Sequence, residues 1–237
     1  NIEAGVASDE MFAVIKDLLN DKSKGSIDND PLKELALNGE FAKGEKKRFE
    51  EAKKIFDSCR DIPEFKGLVI SNAHFHDSGA TIVQKIAYLL STAVFYKEKF
   101  AKDMAFGDFT KNIGVSHALG QYYLLEIAGL RALRVLWSNL YIAYGEKGAN
   151  LPVDIHATTG LFNKTVYDPH VNMLRTATEA MSGIIGGCNS LTVLPYDVCI
   201  GEPDSFSCRI ARNTQLVLKE EAHLDKFVDP SEGSYYI

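Results

Sequence analysis

Residues 153–195, VDIHATTGLFNKTVYDPHVNMLRTATEAMSGIIGGCNSLTVLP, read as strand, polar turn, helix, glycine stop and strand, which is one βαβ unit. Val153 to Thr159 alternates into small polar residues, and after Tyr167-Asp168-Pro169 the apolar positions Val171, Leu174, Ala177, Met181 and Ile184 recur at helical spacing. Gly186-Gly187 ends that helix and Ser190 to Leu194 is the next strand. Asp168 before Pro169 predicts a cap, because a carboxylate can accept from the free N–H groups of the first turn while proline tolerates having none.

Working outward, 237 residues with 46% hydrophobic content can bury a sizeable core, as one α/β barrel or two smaller domains. A net charge of -6 and a pI near 5.6 give no pull towards nucleic acid or an anionic membrane, so neither is expected as a partner. The basic run Lys46-Lys47-Arg48 reads as a solvated helix face. Cys59, Cys188, Cys199 and Cys208 have no C-x-x-C spacing and are too few for a disulfide scaffold, which predicts reduced thiols and a cytoplasmic protein. No window is as long and apolar as the roughly 18 residues a membrane span requires, and no signal peptide is visible. The start at Asn1 and the apolar end Ser234-Tyr235-Tyr236-Ile237 read as a fragment of a longer polypeptide.

Helices are expected over Asp9–Leu19, from Asp30-Pro31 through Leu37, over Glu45–Cys59, over Ile82–Phe100, throughout Phe106–Tyr144 and over Ser205–Leu218. Strands are expected near Ser26, Leu68, Val153, Ser190 and Phe227. Strands alternating with helices, without hairpin signals, predict an α/β fold with parallel strands: the C-terminal portion, about five strands, of a TIM-type (β/α)8 barrel. An open set of strands leaves edges and an uncovered face, so self-association of the fragment is expected.

The strand Gly67–Ser71 ends in Asn72-Ala73-His74-Phe75-His76-Asp77, and polar residues just past a parallel strand face the site in such folds. A single histidine there is more often a hydrogen-bonded loop residue than a catalyst. If strand geometry persists, His74 and His76 point to one side, which with His156 raises a metal-dependent barrel hydrolase; two histidines alone are a weak metal signal. Glu126, Arg131 and Arg134 read as a salt-bridged helix flank.

Several ordered motifs add a resemblance. Leu125-Glu126-Ile127-Ala128-x-Leu130-Arg131-Ala132-x-Arg134-x-Leu136-Trp137 is followed by Tyr167-Asp168-Pro169-x-x-Asn172-x-x-Arg175-Thr176 and by Gly186-Gly187-x-x-Ser190-Leu191. Then come Arg209-Ile210-Ala211-Arg212-Asn213-Thr214-Gln215 and Asp229-Pro230-x-x-Gly233-Ser234-Tyr235. Together they resemble the substrate-binding barrel of the methylmalonyl-CoA mutases over roughly residues 65–237. Residues 1–64 resemble the family loosely, as partial strand and helix units, with Asp30-Pro31-Leu32 and Leu35-Ala36-x-x-Gly39 most like the small subunit of the two-subunit bacterial enzymes.

The resemblance implies an adenosylcobalamin-dependent rearrangement of methylmalonyl-CoA and succinyl-CoA by a holoenzyme, an isomerase of propionate metabolism, with the cobalamin on a separate domain not expected in this chain. It places His74 where the family's histidine contacts the substrate carbonyl, although Ala73 replaces the tyrosine that precedes it. Where the family reads His-Cys-Gln-Thr, this chain has His156-Ala157-Thr158-Thr159, and where it reads Phe-Asp-Glu-Ala, Tyr196-Asp197-Val198-Cys199. A valine cannot accept the ribose hydroxyl bond that the glutamate makes. Loss at those positions implies a small, non-catalytic subunit whose partner is a large catalytic subunit and which binds no cobalamin, and no metal, alone. The alternative is an active barrel with His74 at the substrate carbonyl.

Overall fold

The computed structural model describes residues 2–3, 7–146 and 153–237. In chain order these form β1 (Ile2–Glu3), α1 (Ser8–Ile15) with a 3-10 turn (Lys16–Leu18), β2 (Gly25–Asp28), α2 (Pro31–Asn38) and α3 (Glu45–Ser58). There follow β3 (Phe65–Lys66), β4 (Leu68–Ser71), α4 (Ala73–Asp77), α5 (Ile82–Phe100), α6 (Phe106–Lys111), β5 (Ile113–Leu119) and α7 (Tyr123–Ala143). The chain closes with β6 (Ile155–Thr159), α8 (Val171–Ile185), β7 (Ser190–Thr192) and α9 (Ser205–Leu216), which runs into a π turn (Val217–Glu221).

The chain divides into two compact units. Unit 1 holds the described residues of Asn1–His74, Ala87–Val115 and Trp137–Val153, and unit 2 those of Phe75–Ile86, Ser116–Leu136 and Asp154–Ile237. In unit 1, β2 lies between β1 and β3, parallel to both, with Ile27 opposite Ile2 and Gly25 opposite Phe65, and β4 neighbours β5. In unit 2 the order is β5-β6-β7, with β6 and β7 parallel and His156 opposite Ser190. Neighbouring strands therefore follow sequence order, with helices between them, and the fold is α/β with parallel strands.

The strands expected near Ser26, Leu68, Val153 and Ser190 are present as β2, β4, β6 and β7. Phe227 is not in a strand: it lies in a bend, two-thirds exposed, with Val228 fully exposed beside it, so two adjacent apolar residues here have no sheet to join. The continuous helix expected over Phe106–Tyr144 is also corrected, since Ile113–Leu119 is a strand. Six of its seven residues are buried, so it lacks the polar alternation that marks a half-exposed strand.

Side-chain caps set the starts of α2 and α9. The Asp30 carboxylate accepts from the Leu32 and Lys33 N–H groups with Pro31 in the first turn, and Gly39, at φ 76°, closes α2 in a left-handed turn. The same role expected of Asp168 is not observed. Its backbone carbonyl, rather than its carboxylate, accepts from Val171 N, and α8 starts from His170 without a side-chain cap.

The unit 1 core joins Phe12, Ile27, Ile55, Cys59 and Phe65, beside an aromatic group in which Phe56 meets Phe100 and Phe109 at 6.0 Å and Phe106 meets Tyr141 edge-on at 4.9 Å. Fully buried Asn29 links this core to its polar frame. Its oxygen accepts from Ser8 Oγ and Arg48 Nη1 at 2.9 Å each, and its amide donates to the Ala52 and Gly67 carbonyls. Arg48 is therefore not part of a solvated face: it is buried and donates to Glu34 Oε2 at 2.7 Å. In unit 2, Ala180, Val193, Ala211 and Leu218 join α8, α9 and the segment after β7.

Glu34 also accepts from Ala42 N, so one carboxylate holds both the Arg48 guanidinium and the turn after α2. Glu34→Ala should destabilise the protein by about 3–5 kcal/mol, because it strands a buried guanidinium. Urea unfolding at neutral pH should show the midpoint falling with an unchanged slope.

Candidate functional site

Each unit places a polar group at the C-terminal ends of its strands. In unit 1, Asp28 ends β2 and pairs with Lys33 Nζ at 2.5 Å. Burial pushes the neighbouring Asp30 carboxyl up to about 6, against hydrogen bonds from Tyr96 Oη and Lys33 N that hold it down. His74 lies just past β4, half-buried. Burial pulls its imidazole down to about 4, helped by Lys33 and opposed by Asp28. Near neutral pH it is uncharged, suited to a neutral hydrogen bond with a carbonyl and unsuited to donating a full proton.

His74 and His76 do not share one side of a strand. Ala73–Asp77 is a helical turn, in which residues two apart point away from each other. His156 sits on β6 with Nδ1 2.8 Å from Ser190 Oγ and Nε2 3.1 Å from Thr192 Oγ1, so both ring nitrogens are engaged by β7. Among the described residues no group of three or more His, Cys, Asp or Glu side chains could hold a metal ion.

Unit 2 carries a denser group, of which the motifs held only Glu126. Lys85, on the buried face of α5 one turn before Leu89, reaches Glu126 Oε1 and Oε2 at 2.7 and 3.0 Å and donates to the Ala118 carbonyl at 2.6 Å. Glu126 also accepts from Gly120 N at 3.0 Å and lies 3.3 Å from His117 Nε2, the ring of a fully buried β5 residue. Burial alone would raise the Glu126 carboxyl. The His117 hydrogen bond and the Lys85 ammonium reverse this and hold it at about 2. Burial draws Lys85 below the usual lysine range, with Glu126 pulling the other way, and burial likewise lowers His117.

His76 completes the group. Its ring is 8% exposed, and burial pulls it down to about 4, with Lys85 adding to that pull and Glu126 opposing it. Beside Glu126 and His76, which the sequence already marks, the signal for this group is a lysine on the otherwise apolar stripe Ile86, Leu89, Ala93, Tyr96 of α5, since a charge there must find a buried partner.

A second buried pair orders the loop after β6. Lys164 Nζ is 2.7 Å from both Glu179 oxygens, and Asn163 Nδ2 donates to the same carboxylate at 2.6 Å. Asn172 adds Thr165 N and O and the Tyr196 carbonyl, which fixes the turn between β6 and α8. Thr158, on the same face of β6 as His156, is opposite Thr192, and Val198 lies in the turn after Pro195. Glu126, Arg131 and Arg134 are not a flank of pairs along their own helix. Arg131 Nη1 holds Asp229 at 2.5 and 2.6 Å, and Arg134 donates to the Gly187 carbonyl and to Asn189 Oδ1.

The methylmalonyl-CoA mutase family profile matches residues 10–237. The chain belongs to the methylmalonyl-CoA mutase family. It is 41% identical to the methylmalonyl-CoA mutase small subunit of Porphyromonas gingivalis over 91% of this chain and 35% of that protein. It is 33% identical to the small subunit of Streptomyces virginiae over 99% of this chain and 38% of that one. Identity to the Rhizobium meliloti methylmalonyl-CoA mutase is 36% over 92% of the chain and 31% of the relative. The chain thus spans about a third of the length of the curated relatives it matches. No helix among the described residues is long and apolar enough to cross a membrane.

The shifted histidines of this mutase-family chain give its stability a defined pH dependence. His74 and His76 titrate near 4 in the folded chain and near 6.5 when unfolded, so between those values the unfolded chain binds more protons. Stability should therefore fall as pH drops from about 6.5 towards about 4, partly offset by Asp30, whose raised carboxyl makes the folded chain take up a proton in the same range. Urea midpoints across this range should show that slope, and His76→Gln should flatten it.

Proposed function

We propose that this chain is part of a small, non-catalytic subunit of an adenosylcobalamin-dependent methylmalonyl-CoA mutase, supporting a large catalytic subunit in a cytoplasmic heterodimer that interconverts methylmalonyl-CoA and succinyl-CoA. The observation that carries the reading is the Lys85–Glu126–His117 group: at the strand ends of unit 2, where α/β folds present reacting groups, buried polar side chains satisfy one another. Relatives named as small subunits support the same reading. Parallel strands that neighbour one another in sequence order favour a singly wound barrel, so residues 65–237 are assigned to the C-terminal part of a (β/α)8 barrel and residues 1–64 to the units before it.

The cobalamin is not assigned to this chain. Both nitrogens of His156 are bonded to Ser190 and Thr192, and His117 is turned to Glu126. These side chains do not fit a cobalt-bearing group.

A second reading, an active barrel with His74 at the substrate carbonyl, draws on its neutral imidazole beside Lys33. Two measurements separate them. The full-length parent should co-purify with its large subunit and alone should not turn over methylmalonyl-CoA; turnover by the isolated subunit overturns the first reading. In the holoenzyme His74→Ala should leave kcat nearly unchanged, whereas a direct contact to the substrate carbonyl predicts a loss of about two to three orders of magnitude.

A further inference from the structure

The His76 ring occupies a slot with two glycine walls. Gly120 follows β5 and Gly160 follows β6, joined by the bond from Gly160 N to the Leu119 carbonyl at 2.8 Å. A Cβ at Gly120 would come 2.7 Å from His76 Cε1 and 3.1 Å from Glu126 Oε1, and one at Gly160 would collide with Nε2 and Cδ2 of the same ring. Both positions must lack a side chain for the imidazole to lie where it does. Phe162 meets the ring edge-on at 6.3 Å. His76 Nε2 is buried and has no hydrogen-bond partner among the described residues. A buried nitrogen without a partner carries a desolvation cost that polar group packing normally avoids.

We propose that His76 is a built-in occupant of a latent binding site: its imidazole seals a slot at the ends of β5 and β6 of unit 2 that, once vacated, takes a free planar five-membered nitrogen heterocycle. The walls are the Gly120 and Gly160 backbones, the edge is Phe162, and behind it stands the Glu126 carboxylate with its donors. Glu126 keeps Lys85, His117 and Gly120 N as partners when the ring is removed, so the group behind the slot stays satisfied. This goes beyond the subunit assignment and holds whether or not the chain turns over a substrate.

The test is chemical rescue in the full chain. His76→Gly should melt lower than the parent protein and regain a few degrees of Tm in millimolar imidazole, with no gain in matched sodium chloride, because a ligand that binds only the folded chain raises its stability. The parent protein should show no imidazole-dependent gain. A folded His76→Gly protein that imidazole does not stabilise, or a parent protein stabilised to the same extent, overturns the proposal. If His76→Gly does not fold, the double change decides. Gly120→Ala should lower Tm when His76 is present, and His76→Ala/Gly120→Ala should melt higher than the sum of the single effects, since the added methyl then enters the vacated slot. Strict additivity overturns the proposal.

Discussion

A carboxylate buried at the end of a parallel strand has to be met by donors on every side, and Glu126 sets that condition for unit 2. Its partners come from three chain segments: the Lys85 ammonium from α5, His117 from β5 and the Gly120 N–H from the turn into α7. A buried ion pair contributes little net stability against well-packed apolar residues, but loss of one partner strands the other charge. The arrangement of these segments is therefore specified more strongly than it is stabilised. The glycine at 120 serves twice, giving its N–H to the carboxylate and leaving room for the His76 ring.

The two buried pairs of unit 2 are both met by close donors but draw them from different places. Glu126 has three kinds of donor and sits far below the usual carboxylate range, whereas burial raises Glu179, with Lys164 and Asn163 pulling down. Burial lowers both Lys85 and Lys164. The Lys164–Glu179 pair holds the loop after β6, which Asn172 also ties down.

The helices were legible from apolar periodicity, as in α5, whose expected span Ile82–Phe100 is the observed one. β5 was not, because a strand buried on both faces has neither period, and its Gly114 and His117 resemble loop residues in isolation. For the site, the neighbourhood of His74 was readable from its place after a strand, while Lys85, His117 and Glu126 depend on contacts between residues up to 41 apart in sequence. Helical periodicity marks Glu126 as polar but carries no information about which side of α7 is covered. The Phe227 strand failed for the complementary reason: apolar character without a neighbour to pair with.

The two units are interleaved along the chain. Each is assembled from three separated stretches, and unit 2 starts at Phe75, resumes at Ser116 and resumes again at Asp154. No single cut of the backbone would release either one whole. On a ribosome, the segments of unit 2 that carry Lys85 and Glu126 emerge before Glu179 and the α8–α9 core, so that unit is whole only after residues 154–237 have followed. Because neither unit is one continuous stretch, each needs chain from both sides of a stretch of the other before it is whole.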